Sequence, residues 1–161
     1  MWFFMISCYL LSLTTFVMLT VFFLQIFFQF HVLNASPFVF MLLTAIVYCF
    51  TETLIIFFFV GTGVSIKEYS QEKQLEPDYY KNALTIKRVM FPQLTMNILV
   101  MMTLFILYGA VDTGKMSAGL YCVCFVLGLA HYLYDKLLQH RAFRDNTNNI
   151  LAMVGVTRSP S

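Results

Sequence analysis

The chain has 161 residues; 60% are hydrophobic, 18 are phenylalanine, only 11% are charged, and the formal net charge is +2. A soluble domain carries roughly 25% charged residues, and so short a chain cannot hide this much apolar surface in a water-facing fold, so the composition requires lipid. The small charge and the scatter of the basic residues exclude a nucleic-acid partner, which calls for a basic patch or stripe.

The first apolar run extends from Trp2 to Leu33 and stops at Asn34-Ala35-Ser36-Pro37. It has no positive start and outlasts a signal-peptide core, so a retained first span is expected over about 5–33. That is longer than the hydrocarbon requires, which predicts tilt or projection on one side. Gln25 and Gln29 lie four apart and form one polar stripe near its outer end, expected to meet a neighbouring helix or partner.

The second run covers about 38–63 and holds Glu52 near its middle. A carboxylate at that depth costs roughly 2.5–3.5 kcal/mol on insertion scales, so it must face a protein interior, a water-filled path or a partner. Gly61 and Gly63 predict loosening of this helix near its end.

A polar connection follows, with Lys67, Lys73, Lys81, Lys87 and Arg88. Pro77 disfavours helix at Glu76. Asp78 can then cap a short interfacial helix through Tyr79, Tyr80, Ala83, Leu84 and Lys87. The third span is expected over about 91–111, with a kink or fresh start at Pro92. It ends at Asp112-Thr113-Gly114-Lys115, and the fourth span follows over about 117–138. Each run meets the requirement of about 20 residues for a bilayer crossing.

Residues 139–161 are expected to form a separate tail on the cytoplasmic or matrix side, because the chain turns polar through Asp145-Asn146-Thr147-Asn148-Asn149. The short apolar piece that follows, with Ile150, Leu151, Met153 and Val154, is too short to span and is expected to attach to a partner. The fold class is therefore all-α and integral to the membrane: four transmembrane helices over 1–138, with an interfacial helix in the second connection.

Nine of the ten basic residues fall in the second connection or at and beyond the end of the fourth span; Lys115 is the other. The positive-inside rule then places both termini on one side, cytoplasmic in a bacterial inner membrane or matrix in a mitochondrial one.

Chemistry is sparsely signalled. Cys8, Cys49, Cys122 and Cys124 all sit in apolar runs. The last two point about 200° apart on a helix and cannot chelate as a pair, so all four read as packing residues. His31 and Asp112 fall short of the three or four ligands of a zinc site. At about 1.5 Å per residue, Glu52, Asn97 and His131 fall in one layer, and Asp135 shares the His131 face. That layer can be interhelical hydrogen bonding, a contact between Glu52 and a cation on another subunit, or a proton or ion site with His131 and Asp135 as relay. A b-type haem needs two axial histidines, and His131 is the one inside a span; a shared haem would need a partner's histidine. No cofactor of the chain's own is expected, beyond bound lipid.

These features suggest a small non-catalytic integral subunit of a larger membrane assembly, of the electron-transport or another energy-transducing kind, with lipids and other integral subunits as partners. The alternative is a small proton- or ion-conducting or transport protein in which Glu52 titrates.

Overall fold

A computed structural model describes residues 2–28, 30, 32, 35–75 and 77–155. Four helices account for nearly all of them: α1 (Trp2–Phe28), α2 (Pro37–Glu72), α3 (Asp78–Asp112) and α4 (Ala118–Met153). All four are long and apolar enough to cross a membrane. Short connections make the bundle antiparallel. α1 packs on α2, α2 on α3 and α3 on α4, while the seam between α1 and α4 is the loosest of the four.

Local chemistry explains the helix ends. The Ser36 hydroxyl accepts a hydrogen bond from the Val39 N–H at 3.3 Å, and Pro37 follows in the first turn, where its missing N–H costs nothing. Ser117 caps α4 in the same way through Leu120. At the end of α3, Gly114 turns the chain at φ +71°, and the Lys115 N–H reaches back to the Ala110 carbonyl at 2.8 Å.

Three expectations change. The interfacial helix is not a separate element, because α3 runs unbroken from Asp78 through Pro92. Pro92 and Arg88, whose carbonyl loses its helical donor, both lie on the exposed face, while Met90 and Leu94 are buried on either side and hold the helix together. The second helix does not loosen at Gly61 and Gly63 but continues to Glu72. Gly63 is buried where the Lys87 ammonium end lies over it, a space that a Cβ would fill.

The polar stretch after Leu138 is the third change. It is the last four turns of α4 rather than a tail separate from the helix, as far as Met153. Asn and Asp are poor helix formers because their side chains compete for the backbone. Here tertiary bonds override that preference. Asn146 Nδ2 donates to the Thr62 hydroxyl at 3.3 Å, Asn149 Nδ2 donates to the Tyr79 carbonyl at 2.9 Å, and Thr147 is buried beside them.

At 35 or 36 residues, α2, α3 and α4 are each about 53 Å long, against about 30 Å of hydrocarbon. The excess lies at the basic end, where Lys67, Lys73, Lys81, Arg88, Arg141 and Arg144 are exposed. Two apolar clusters fill the bundle. One, toward the opposite end, contains Leu19, Phe22, Met101, Phe105, Tyr121 and Phe125. The other, toward the basic end, contains Cys8, Ile55, Phe59, Met90, Leu94 and Phe143. On every helix a buried polar residue falls between them: Thr15, Thr51 with Glu52, Asn97, and Asp135 with Gln139.

The antiparallel arrangement gives a direct topology test. In a cysteine-free background, Ser36→Cys should react with an impermeant maleimide added outside the cell, and Gln71→Cys should react only after permeabilisation. Both positions are exposed, whereas the neighbouring Ser70 is buried between helices. The reverse pattern would invert the orientation read from the basic residues.

Candidate intramembrane polar centre

Helical spacing assembles the polar layer. Tyr48, Thr51 and Glu52 share one face of α2; Gln93 and Asn97 are one turn apart on α3; and His131, Asp135 and Gln139 recur every four residues on α4. Tyr132 and Lys136 form a second, adjacent row on α4.

The bonds run in one continuous chain. Lys136 Nζ donates to Glu52 Oε1 at 2.5 Å and to Gln139 Oε1 at 2.9 Å. Gln139 Nε2 donates to Glu52 Oε2 at 2.9 Å and to Asp135 Oδ2 at 2.7 Å, so one amide bridges both carboxylates. Asn97 Nδ2 donates to the same Asp135 oxygen at 3.2 Å and to the Tyr48 hydroxyl at 3.1 Å. Asn97 Oδ1 lies 3.1 Å from His131 Nδ1, and His131 Nε2 lies 3.2 Å from Gln93 Nε2. With the amides placed this way, Asn97 Oδ1 can only accept and Gln93 Nε2 can only donate. His131 Nδ1 thus faces an acceptor and Nε2 a donor.

The chain of bonds is buried in its middle and emerges at both ends. Glu52 is 1% exposed and Asp135 fully buried. His131 and Gln93 are half-buried at the seam of α3 and α4. Lys136 keeps 16% of its side chain exposed and faces a cavity of about 240 Å³ between α1 and α4. Its ammonium lies 5.0 Å from the centroid of the Tyr132 ring, and the Tyr132 hydroxyl is tied to α1 through the Ser12 carbonyl at 3.1 Å. Thr15 and Thr51 link α1 to α2 at 3.1 Å.

All four residues expected in the layer, Glu52, Asn97, His131 and Asp135, are thus brought together. The cation that meets Glu52 is not on another subunit but is Lys136 of the same chain. Sequence reasoning counted Lys136 as an interfacial basic residue and Gln139 as the start of the tail. The signal for Gln139 was present, since it continues the His131–Asp135 spacing by one more turn. Lys136 had no comparable local signal, because its partner is 84 positions away.

The expected partner contacts scatter. Gln25 is buried and donates to the Phe30 carbonyl at 3.3 Å, with no partner for its Oε1 among the described residues. Gln29 lies outside the described residues. Ile150 and Met153 line an apolar groove of about 530 Å³ with Phe4, Phe57, Phe58 and Ile66. Leu151 is half-buried on the same final turns of α4, and Val154 is exposed just past the helix end.

No known protein family, characterised protein or solved structure matches the chain.

The ion pair makes a coupled pair of substitutions diagnostic. Breaking a buried pair by removing one member costs about 3–5 kcal/mol, because the other charge is left without compensation. Lys136→Met alone should therefore lower stability strongly, and Glu52→Gln/Lys136→Met should recover most of the loss. Denaturant titration in mild detergent measures this; additive losses in the double variant would mean that the two groups do not interact.

Proposed function

We propose that the chain is a small membrane protein that conducts or exchanges protons, with the Glu52–Lys136–Asp135 centre as its site. One observation carries this reading: the charges in the centre do not balance. Two buried carboxylates face one ammonium, a sum of −2 and +1, and Asp135 Oδ1 has no hydrogen-bond partner among the described residues. A net negative charge in a low-dielectric interior is costly, so the centre favours one further positive charge. A proton on Asp135 is the smallest group that supplies it. The Gln139 and Asn97 amides do not themselves relay a proton, but they hold Lys136, Glu52, Asp135 and His131 in one line, along which water entering at the half-buried ends can pass it. In this reading both termini face the cytoplasm or the mitochondrial matrix.

An accessory-subunit role in a larger membrane assembly, such as an electron-transport complex, is the second reading. It draws on the apolar groove beside Ile150 and Met153, which could seat a neighbouring helix.

Proteoliposomes separate the two. Purified chain carrying a trapped pH indicator and driven by a potassium diffusion potential should acidify or alkalinise the lumen at least tenfold faster than empty vesicles. Asp135→Asn should abolish the excess flux while its elution profile in detergent stays unchanged. Wild-type flux no faster than that of empty vesicles refutes the proton reading. Ile150→Ser/Met153→Ser, purified from native membranes, should lose co-migrating subunits only if the second reading holds.

A further inference from the structure

The loosest seam of the bundle is also its most chemically furnished. Where α1 and α4 part, the cavity of about 240 Å³ is walled by the rings of Tyr9, Phe16, Tyr132 and Phe143. Ser12, Lys136, Gln139 and His140 line it with polar groups, and Lys136 and His140 keep hydrogen-bonding capacity for a ligand. Lys136 has three N–H donors; Glu52 and Gln139 take two, and no acceptor among the described residues takes the third. His140 has its Nδ1 engaged by the Tyr9 hydroxyl at 2.8 Å, which leaves Nε2 free to face a ligand. Lys136 lies about 27 Å along α4 from its first residue, close to the basic-end boundary of a hydrocarbon core about 30 Å thick. By the same measure His140 lies at about 33 Å, so the cavity opens to lipid past the exposed Leu13 and Leu133 and meets the interface at His140.

These walls select a ligand. Of these rings Tyr9 and Phe16 are accessible while Tyr132 and Phe143 are buried behind them, and accessible rings favour a flat π-system, which can stack on them or meet their edges. Donors at its margin favour an acceptor at the ligand's edge. A carboxylate or phosphate would add negative charge beside a centre already short of positive charge, so the acceptor should be neutral. Access from lipid requires an apolar tail. We propose that the α1–α4 seam binds a lipid-soluble quinone, with one ring carbonyl accepting from Lys136, the ring against Tyr9 and Phe16, and the tail leaving past Leu13 into lipid. Leu13 lines the cavity and is 60% exposed, which places it at the mouth. Binding in this slot does not depend on proton conduction by the buried carboxylates.

Photolabelling of the intact chain in nanodiscs tests the assignment. The probe is a benzoquinone with a photoreactive ten-carbon tail, mapped by mass spectrometry. Labels should concentrate on residues 9–16 and 132–143. Excess decyl-benzoquinone should compete them away at least tenfold, and decanoate should not. Leu13→Trp, which narrows the mouth without touching the polar centre, should cut labelling at least tenfold. Val126→Trp, also lipid-exposed but outside the slot, should leave it unchanged. Labels spread evenly over the lipid-facing helices, equal competition by decanoate, or full labelling of Leu13→Trp would each overturn the proposal.

Discussion

The architecture depends on one ion pair between the second and fourth helices. Lys136 and Glu52 are joined at 2.5 Å, and Gln139 closes the pair to Asp135. In lipid, helices gain little from apolar contact with one another, because the tails are as apolar as leucine. Association must then come from packing and from polar groups that have nowhere else to go. The centre supplies the second on three helices at once, and Thr15 with the Ser12 carbonyl draws in α1. The apolar clusters on either side supply the first and keep water from the bonds between them.

The relation of sequence to structure follows the range of each interaction. Helix number and approximate position were legible, because run length against bilayer thickness is a local property. The shared depth of Glu52, Asn97, His131 and Asp135 was legible for the same reason, since rise per residue is constant. Pairing was not. Nothing near Lys136 distinguishes it from a basic residue at a membrane boundary, and only the assembled bundle, which brings the two side chains together across its interior, makes it the counter-ion of Glu52. The helical state of Asp145–Asn149 was hidden differently. Local propensity pointed the wrong way, and the bonds that reverse it come from Thr62 and Tyr79 on other helices. Pro92 was misleading too, because its breaking effect is blunted where the residue faces outward from a packed helix.

The bundle is also uneven around its circumference. α2, α3 and α4 continue together past the hydrocarbon at the basic end and are held there by Asn146 and Asn149. α1 is shorter, at 27 residues, and meets α4 loosely. Polar contacts at the basic end therefore join α2, α3 and α4, while α1 meets α4 more sparsely along their seam, through bonds such as Tyr9–His140 and Tyr132–Ser12. The most exposed member of the buried charges, Lys136, lies along that seam.

The depth of the polar layer has an electrical meaning. Glu52 stands 15 residues from the start of α2 and Asp135 17 residues from the start of α4, so the layer lies about 22–26 Å from those ends, in the basic-end half of a hydrocarbon core about 30 Å thick. A unit charge crossing the full membrane exchanges about 2.3 kcal/mol per 100 mV with the potential, so one moving between this layer and the far face exchanges the larger part of that, and one moving to the basic-end face the smaller part. Any proton that moved between the Glu52–Asp135–Lys136 group and one face would thus do work with or against that potential. An energised and a de-energised membrane would then hold the group at different occupancies, and the direction of the bias is set by which way the chain is inserted.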